Sequence, residues 1–313
     1  GTLWWTRYAD RARGRGVSSL LDRCRMSQTC PKIMETFGAA EFWGLRMSPG
    51  LVGTDARADL PLPAQVRRYY FPGVTHGGSY IGAFSLTGDP AYPGAPKCVL
   101  PANPNPSFYT MRALMTRLLA WVAEGREPPA SRYPRLTDRQ LVAPTAKAMG
   151  WPAIPGAPSP DGKLNAFLDY DFGPAFDYHD VSGVPTRQPP LVRRTIPSVV
   201  PRVDADGNEV GGVPSVQFLV PIGTYTGWNQ LQEGYGADGG CGFMGGFIPF
   251  ARTKADRVAT GDPRPSLEER YHDHQGFVTR VRAVAQAQVR EGWLLPPDAE
   301  RIEHQAETSD VLR

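Results

Sequence analysis

The sequence predicts an α/β protein that contains one end of a parallel sheet, followed by a long, loop-rich C-terminal extension. Residues 31–36 and 65–72 are short apolar segments typical of buried strands, and residues 107–124 carry apolar side chains at helical spacing. The order strand, acidic loop, strand, histidine loop and amphipathic helix is that of an α/β sheet. We therefore expect residues 1–126 to form the sheet region and residues 127–313 to form the extension, packed back on it.

Residues at the ends of each predicted element in the sheet region support its boundaries. The first strand, "PKIMET", begins at a proline and ends before "FGAAE"; the second ends in a Pro-Gly turn. The crossover between them is rich in Gly, Pro and Asp, so its loops should reach the surface. Ser107 is a plausible N-cap for the helix and Gly125 a plausible stop.

The extension is predicted with less regular structure. Residues 126–200 are proline-rich and irregular. Residues 199–229 contain two apolar runs about an Asp-Gly turn, which predicts a hairpin or strand pair. Residues 266–295 predict one long amphipathic helix, and residues 296–307 a short final helix.

Composition excludes two classes of partner. The chain has 313 residues, a net charge of +3 and no dense block of lysine and arginine, which argues against nucleic acid. No apolar run approaches the roughly 20 residues that span a bilayer, and the start lacks the order of a signal peptide. Trp4 and Trp5 are typical of residues against a packed surface, so we expect the chain to come from within a larger protein.

The chain has four cysteines, and whether they form disulfides indicates an oxidising or a reducing cellular compartment. The five residues between Cys24 and Cys30 suit a small disulfide loop better than a zinc knuckle, and reduced thiols are the alternative. Cys98 and Cys241 receive no predicted partner. Localisation stays open, with a periplasmic or secreted protein preferred to a cytoplasmic one.

The strand ends carry the candidate chemistry. In "ETFGAAEFWG" a glycine, Gly38, allows a sharp turn that lifts the carboxylate of Glu41 over the end of the sheet. His76 follows the second strand in "PGVTHGG", 35 positions later. We expect the two side chains to emerge at one sheet edge, where a carboxylate can hold an imidazole in one tautomer. Glu35, and more weakly Asp55 or Asp59, are competing candidates for the acid.

Several motifs together resemble a known group. "CPKIMETFGAAEFWG", "LPLPAQVRRYYFPGVTHGG", "PASRYPRL", "GTYTGWN" and "GDPRPSLEERY" are similar to bacterial α/β-hydrolase domain proteins regarded as esterases. The resemblance covers nearly the whole chain, as the C-terminal part of such proteins. It implies an α/β-hydrolase sheet in which Glu41 takes the acid position and His76 the base position.

The nucleophile of that family is missing from the pattern. Its serine lies on a G-x-S-x-G elbow that precedes the acid, and no such motif precedes Glu41. Ser18 and Ser19 lack flanking glycines and a preceding strand. Ser79 follows the histidine by three residues and cannot occupy an elbow on another strand. The serine and the elbow's oxyanion donor are therefore expected in sequence not present here.

Three further patterns have structural interpretations beside functional ones. "YHDHQ" resembles a metal site, but residues at i and i+2 of a helix point to different faces, which favours a solvated helix start. "DADGNE", residues 204–209, resembles a calcium loop but lacks its final glutamate, which favours a hairpin turn. "GTYTGWN" and "GGCGFMGGFIPF" suit pocket walls or tight packing, and Trp228 is the candidate substrate-binding residue.

The sequence thus predicts a carboxylic ester hydrolase segment with a Ser-His-Glu mechanism, acting on a small-molecule ester. The missing N-terminal half of the fold is a possible partner, and no metal or organic cofactor is implied. The alternative is a non-catalytic binding or scaffold module that retains the hydrolase fold.

Overall fold

A computed structural model describes residues 4–79, 81–90, 95–177, 183–234 and 236–313. Within these residues the strands pair as five small two-stranded sheets, of which one is parallel. The strands are β1 Tyr8–Ala9, β2 Val17–Ser18, β3 Ile33–Gly38, β4 Val66–Phe71, β5 Leu141–Val142, β6 Phe167–Asp171, β7 Leu191–Ile196, β8 Val200–Pro201, β9 Gly223–Thr226 and β10 Gly246–Pro249. The α-helices are α1 Asp22–Ser27, α2 Ala39–Trp43, α3 Ser48–Val52, α4 Phe108–Glu124, α5 Ala146–Met149, α6 Val216–Leu219, α7 Lys254–Thr260, α8 Leu267–Tyr271, α9 His274–Glu291 and α10 Pro296–Thr308.

The two predicted strands of the sheet region are β3 and β4, and they are neighbours. They run parallel, with Ile33 opposite Val66 and Gly38 opposite Phe71, so both carboxyl ends lie at one edge. β4 is almost fully buried, whereas most of β3 is half-buried. In the described residues β3 pairs with β4 alone. Because parallel sheets are normally covered on both faces, the outer side of β3 is less covered than a central strand requires.

The predicted helix over residues 107–124 is α4. Ser107 precedes it, although its side chain makes no capping hydrogen bond, and Gly125 ends it in the left-handed conformation. Tyr109, Leu114 and Trp121 are among its buried side chains, which agrees with the prediction of core packing.

The extension differs from the sequence prediction in three places. Residues 126–200, predicted to be irregular, contain the antiparallel pair β6 and β7, with Phe167 opposite Ile196. Residues 204–209 form the predicted turn, with Val203 and Glu209 bridged, but the flanking apolar runs do not form one hairpin. β8 pairs with β5, and β9 pairs with β10, because strands distant in sequence supply better partners than the adjacent run.

The long C-terminal helix is interrupted. α8 ends at Tyr271 and α9 begins at His274, with His272 at a positive φ of 67° between them. Asp273 caps α9 by accepting a hydrogen bond from the Gly276 N–H at 2.8 Å. Asp favours such caps over helix interiors, so the break has a local cause that the apolar periodicity does not reveal. The final helix α10 matches its prediction.

The hydrophobic clusters join the two halves of the chain. The largest contains residues of α9, α10 and β9 together with Phe84 and Tyr109 from the sheet region. A second joins Phe37 and Tyr70, on β3 and β4, to residues of the extension such as Trp228. The extension therefore packs directly on the strand pair. Among the described residues, none of the helices combines the length and apolar character that a bilayer span needs.

Candidate active site

Glu41 lies in the first turn of α2, directly after β3. Gly38 precedes the helix, and its N–H donates to Glu41 Oε2 at 2.8 Å. A side chain at position 38 would be crowded, because its Cβ would lie 3.0 Å from the Val74 carbonyl oxygen and 3.2 Å from Glu41 Oε2, so one of these neighbours would have to move by a few tenths of an ångström. The glycine therefore lets the histidine loop approach α2 closely. The Ala40 N–H donates to the same Val74 oxygen at 3.1 Å, which ties the loop to the helix.

His76 lies in the loop after β4, at the same edge of the strand pair. Its Nδ1 is 2.7 Å from Glu41 Oε1. One carboxylate oxygen of Glu41 thus contacts the imidazole while the other is held by the backbone of its own turn. The side chain of Glu41 is 16% exposed and that of His76 is 52% exposed. The imidazole is accessible to a substrate, and the carboxylate behind it is largely sheltered.

The competing acids are occupied elsewhere. Glu35 lies within β3, opposite Arg68, and forms an ion pair with that buried guanidinium. Asp59 accepts hydrogen bonds from two backbone N–H groups of a later loop, and Asp55 is exposed in its own turn. Of the four carboxylates considered from the sequence, Glu41 is the one that contacts His76.

A cleft of about 180 Å³ opens beside the imidazole. The histidine loop contributes Thr75, His76 and Gly78 to its lining, and a distant segment contributes Phe243 and Met244. The described lining contains no serine or cysteine. Its hydroxyl, Thr75 Oγ1, already donates to the Phe243 carbonyl oxygen at 2.8 Å and accepts from the Gly245 N–H at 2.9 Å. Among the described residues, the cleft thus presents an imidazole with no unoccupied hydroxyl or thiol beside it.

Phe243 packs beside the imidazole of His76. Its ring centroid is 5.3 Å from that of His76, and the ring also lies against Gly44, where a Cβ atom would come within 2.5 Å of it. Cys241, two residues earlier, forms a disulfide with Cys98. This bond fixes the segment that carries the cleft wall. Sequence reasoning assigned Cys98 and Cys241 no partner, and the only signal available was their even number.

The other cysteine pair forms a disulfide, and two of the three candidate serines are buried. Cys24 and Cys30 are joined by a disulfide, as predicted. Ser79 is 3% exposed, and its Oγ accepts hydrogen bonds from the N–H groups of Ile81 and Gly82. The side chain therefore stabilises a turn, in agreement with its exclusion as a nucleophile. Ser19 is also buried, and its hydroxyl donates to the Trp5 carbonyl oxygen.

Trp228 lies in the core of the structure. It is 3% exposed, its ring packs at a tilt against those of Trp43 and Trp151, and it lines neither the cleft nor the cavity beside it. Of the two aromatic and glycine-rich segments, the second supplies the cleft wall through Phe243 and Met244. Side-chain composition could not distinguish them, since both combine large rings with glycine.

The two metal-like patterns have structural roles. Asp273 and His274 begin α9, and His274 Nδ1 lies 2.7 Å from the Val311 carbonyl oxygen, which holds the C-terminal residues. Asp204 accepts hydrogen bonds from the N–H groups of Asp206 and Asn208 and so closes the turn. No cluster of three potential metal ligands occurs in the described ranges.

Glu209 is a buried carboxyl near the site that sequence reasoning did not single out. It accepts a hydrogen bond from the Tyr70 hydroxyl, on β4, and another from the Gly73 N–H at 2.8 Å. Burial raises the pKa of Glu209 to about 7, against the opposing effect of the Tyr70, Gly73 and Trp43 donors. Burial and the neighbouring Glu209 also hold the pKa of Tyr70 well above its ordinary value.

The carboxylate of Glu41 and the imidazole of His76 are in contact at the carboxyl edge of the parallel strand pair, an arrangement in which a carboxylate can orient an imidazole. The family model described as an alpha/beta hydrolase domain matches residues 6–304. The chain therefore belongs to the alpha/beta hydrolase family. This membership indicates a hydrolase-type function. No curated protein and no solved structure matches it.

Proposed function

We propose that this chain carries the general base and the acid of a carboxylic ester hydrolase, and that a serine from outside these 313 residues completes a Ser-His-Glu triad. The observation that carries the proposal is the 2.7 Å contact between His76 Nδ1 and Glu41 Oε1 at the open cleft. An imidazole held in this way has its Nε2 directed to a different partner, and no hydrogen bond to Nε2 occurs within the described residues.

The chemistry follows from the two ring nitrogens. Nε2 of His76 takes the proton of the serine hydroxyl as its oxygen attacks the ester carbonyl, and Glu41 stabilises the imidazolium that forms. The imidazolium then gives that proton to the departing alkoxide, which leaves an acyl-enzyme. Water attacks the acyl group by the same proton path and releases the carboxylic acid. Each turnover consumes one ester and one water and regenerates the neutral imidazole.

Two observations support a serine from elsewhere. The described lining of the cleft has no unoccupied hydroxyl or thiol. β3 is half-buried and pairs on one side alone in the described residues, so its outer edge can accept another parallel strand. A strand there, with a serine at its carboxyl end, would bring the hydroxyl to the edge where Glu41 and His76 lie. We propose that an N-terminal half of the fold, supplied from outside these residues, is the partner for this edge.

The cleft suits a small ester with an apolar group. Phe243 and Met244 contribute apolar surface to the cleft beside the imidazole. A second cavity of about 380 Å³ shares Met244, Asp89 and Ala102 with the cleft, so the substrate site can extend beyond the reacting carbonyl. The two disulfides are typical of an oxidising compartment, which supports a periplasmic or secreted protein.

The test uses two forms of the protein. Residues 1–313 alone, and the same chain expressed with the neighbouring coding sequence, are treated with a fluorophosphonate probe and assayed with p-nitrophenyl acetate. We expect one labelled serine and turnover only in the longer form. His76→Ala should abolish labelling. Glu41→Gln should lower kcat on the order of 10⁴-fold, because the imidazole loses the carboxylate that holds it in the correct tautomer.

His304→Ala is the matched control. This histidine lies on α10 with a side chain that is 75% exposed, and its replacement should leave turnover unchanged. Rapid turnover and serine labelling of residues 1–313 alone, both lost in His76→Ala, would show that the nucleophile lies within the chain. A longer form that binds esters without labelling would favour the binding or scaffold module.

A further inference from the structure

Glu209 lies between the two elements that carry the acid and the base. Its side chain is buried and contacts the chain leading to His76 through the Gly73 N–H, three residues before the imidazole. Its second partner is the hydroxyl of Tyr70, at the end of β4. Glu209 itself comes from the turn of residues 204–209 in the extension, 136 residues along the chain from Gly73.

Both backbone polar groups of Gly73 are hydrogen-bonded to side chains. Its carbonyl oxygen accepts hydrogen bonds from Asn103 Nδ2 at 2.7 Å and Asn105 Nδ2 at 3.1 Å, and its N–H donates to Glu209 at 2.8 Å. Gly73 has a φ of +59°, and a Cβ there would come within 2.5 Å of the Phe218 ring. The turn therefore cannot shift without breaking buried hydrogen bonds, and Glu209 supplies the only side-chain acceptor among these contacts.

A further N–H group, on the helix that carries Glu41, lies close to Glu209 without being bonded to it. Trp43 lies on α2, two residues after Glu41, and its buried Nε1 has no hydrogen-bond partner among the described residues. The same indole is close enough to Glu209 to lower its pKa. A small rotation would let the unpartnered N–H donate to the carboxylate. Ionised Glu209 would then hold α2 as well as the turn before His76.

The other ionisable groups near this carboxyl are engaged. Tyr70 donates its hydroxyl to it, and Glu41, on α2, acts electrostatically on Tyr70. On the preceding turn, Asp204 accepts two backbone hydrogen bonds, and Asp206 pairs with Arg270. No cation among the described residues is paired with the buried carboxyl, so its charge depends on its burial and on its two donors, the Tyr70 hydroxyl and the Gly73 N–H.

We infer that Glu209 is the positioning residue of the Glu41–His76 pair, holding the turn that leads to His76 and, when ionised, the helix that carries Glu41. The inference rests on the proposed function for its catalytic meaning, but the positioning itself is a property of this chain. Protonation of Glu209 removes one charge-assisted acceptor from the turn and from Trp43. The geometry of the pair should then depend on the acceptor oxygen at position 209, and the charge of Glu209 should change the strength of the hydrogen bonds from the Gly73 and Trp43 N–H groups.

The experiment is NMR on residues 1–313, which needs neither nucleophile nor substrate. The Gly73 amide and the Trp43 indole N–H report the charge of Glu209, and the Nδ1–H tautomer of His76, read from its ¹⁵N signals in alkaline buffer, reports the Glu41 contact. The variants are Glu209→Gln, which keeps the shape and an acceptor, Glu209→Ala, which removes both, and Glu41→Gln, which defines the signal of an uncoupled imidazole.

In the unmodified chain we expect the Gly73 and Trp43 signals to move together near neutral pH. Glu209→Gln should abolish both shifts and retain the His76 tautomer. Glu209→Ala should reduce the Nδ1–H signal to the level of Glu41→Gln. The inference is overturned if the Gly73 and Trp43 signals still titrate in Glu209→Gln, or if a Glu209→Ala protein with native near-UV circular dichroism keeps the full Nδ1–H signal.

These results separate the inference from the proposed function. Loss of the tautomer in Glu209→Ala, together with no serine labelling in the longer form, would retain the positioning role and reject the esterase. Labelling that depends on His76, with a tautomer indifferent to Glu209, would do the reverse. If Glu209→Ala does not fold, the titration in Glu209→Gln still decides the outcome.

Discussion

Glu209→Gln should change how the stability of the protein depends on pH. The pKa of Glu209 rises from an ordinary 4.5 to about 7 because the carboxyl is buried. The folded state therefore keeps a proton that the unfolded chain has lost, and the stabilisation from this group decreases as pH rises through that range. Each unit of difference in pKa between the folded and unfolded states is worth about 1.4 kcal/mol. Between pH 4.5 and about pH 8, Glu209 should therefore lower the unfolding free energy of the unmodified protein by about 3 kcal/mol.

The measurement is urea unfolding followed by tryptophan fluorescence, with disulfides intact, for both proteins at each pH. Their difference in unfolding free energy cancels other titrating groups, such as Glu269, whose pKa is lowered to about 2 chiefly by a backbone hydrogen bond. Relative to Glu209→Gln, the unmodified protein should lose about 3 kcal/mol on going from pH 4.5 to about pH 8. Glu300→Gln, at an exposed position of α10, is the control and should give a constant difference. A constant difference for Glu209→Gln as well would refute the reasoning.

Three further predictions concern stability and the cleft. Replacing both cysteines of Cys98–Cys241 by serine should cost up to about 5 kcal/mol, against about 2 kcal/mol for Cys24–Cys30, because the closed loops differ in length; chemical denaturation compares them. Gly38→Ala should cost about 1–3 kcal/mol and weaken the His76 Nδ1–H signal, whereas Gly16→Ala, with nothing within 4 Å of its Cβ, should be nearly neutral. Trp228→Ala should lower stability by about 3–5 kcal/mol, as a core residue does; an unchanged melting temperature with weakened ester binding would instead restore it as a pocket residue.

The sequence determined the part of the site that depends on neighbouring strands. Two apolar segments of strand length, each followed by a glycine-containing turn, were enough to predict that Glu41 and His76 leave the sheet at one edge. Parallel strands align their carboxyl ends, so a local pattern fixes this long-range contact, and the structure brings the two side chains within 2.7 Å. The catalytic role of the pair remains a prediction. The helix α4 and its end at Gly125 were also local properties, set by periodicity and by a left-handed stop.

Tertiary structure alone decided what surrounds that pair. Phe243 lies 168 residues from Thr75, whose hydroxyl donates to its carbonyl oxygen, and Cys241 reaches Cys98 across 143 residues. Trp228 and Phe243 belong to similar glycine-rich segments, yet one is a core residue and the other lines the cleft. Periodicity and turn chemistry report the neighbours of a residue along the chain. Contacts between distant segments depend on which loops pack together, and that choice is made by the burial and hydrogen bonding of the whole fold.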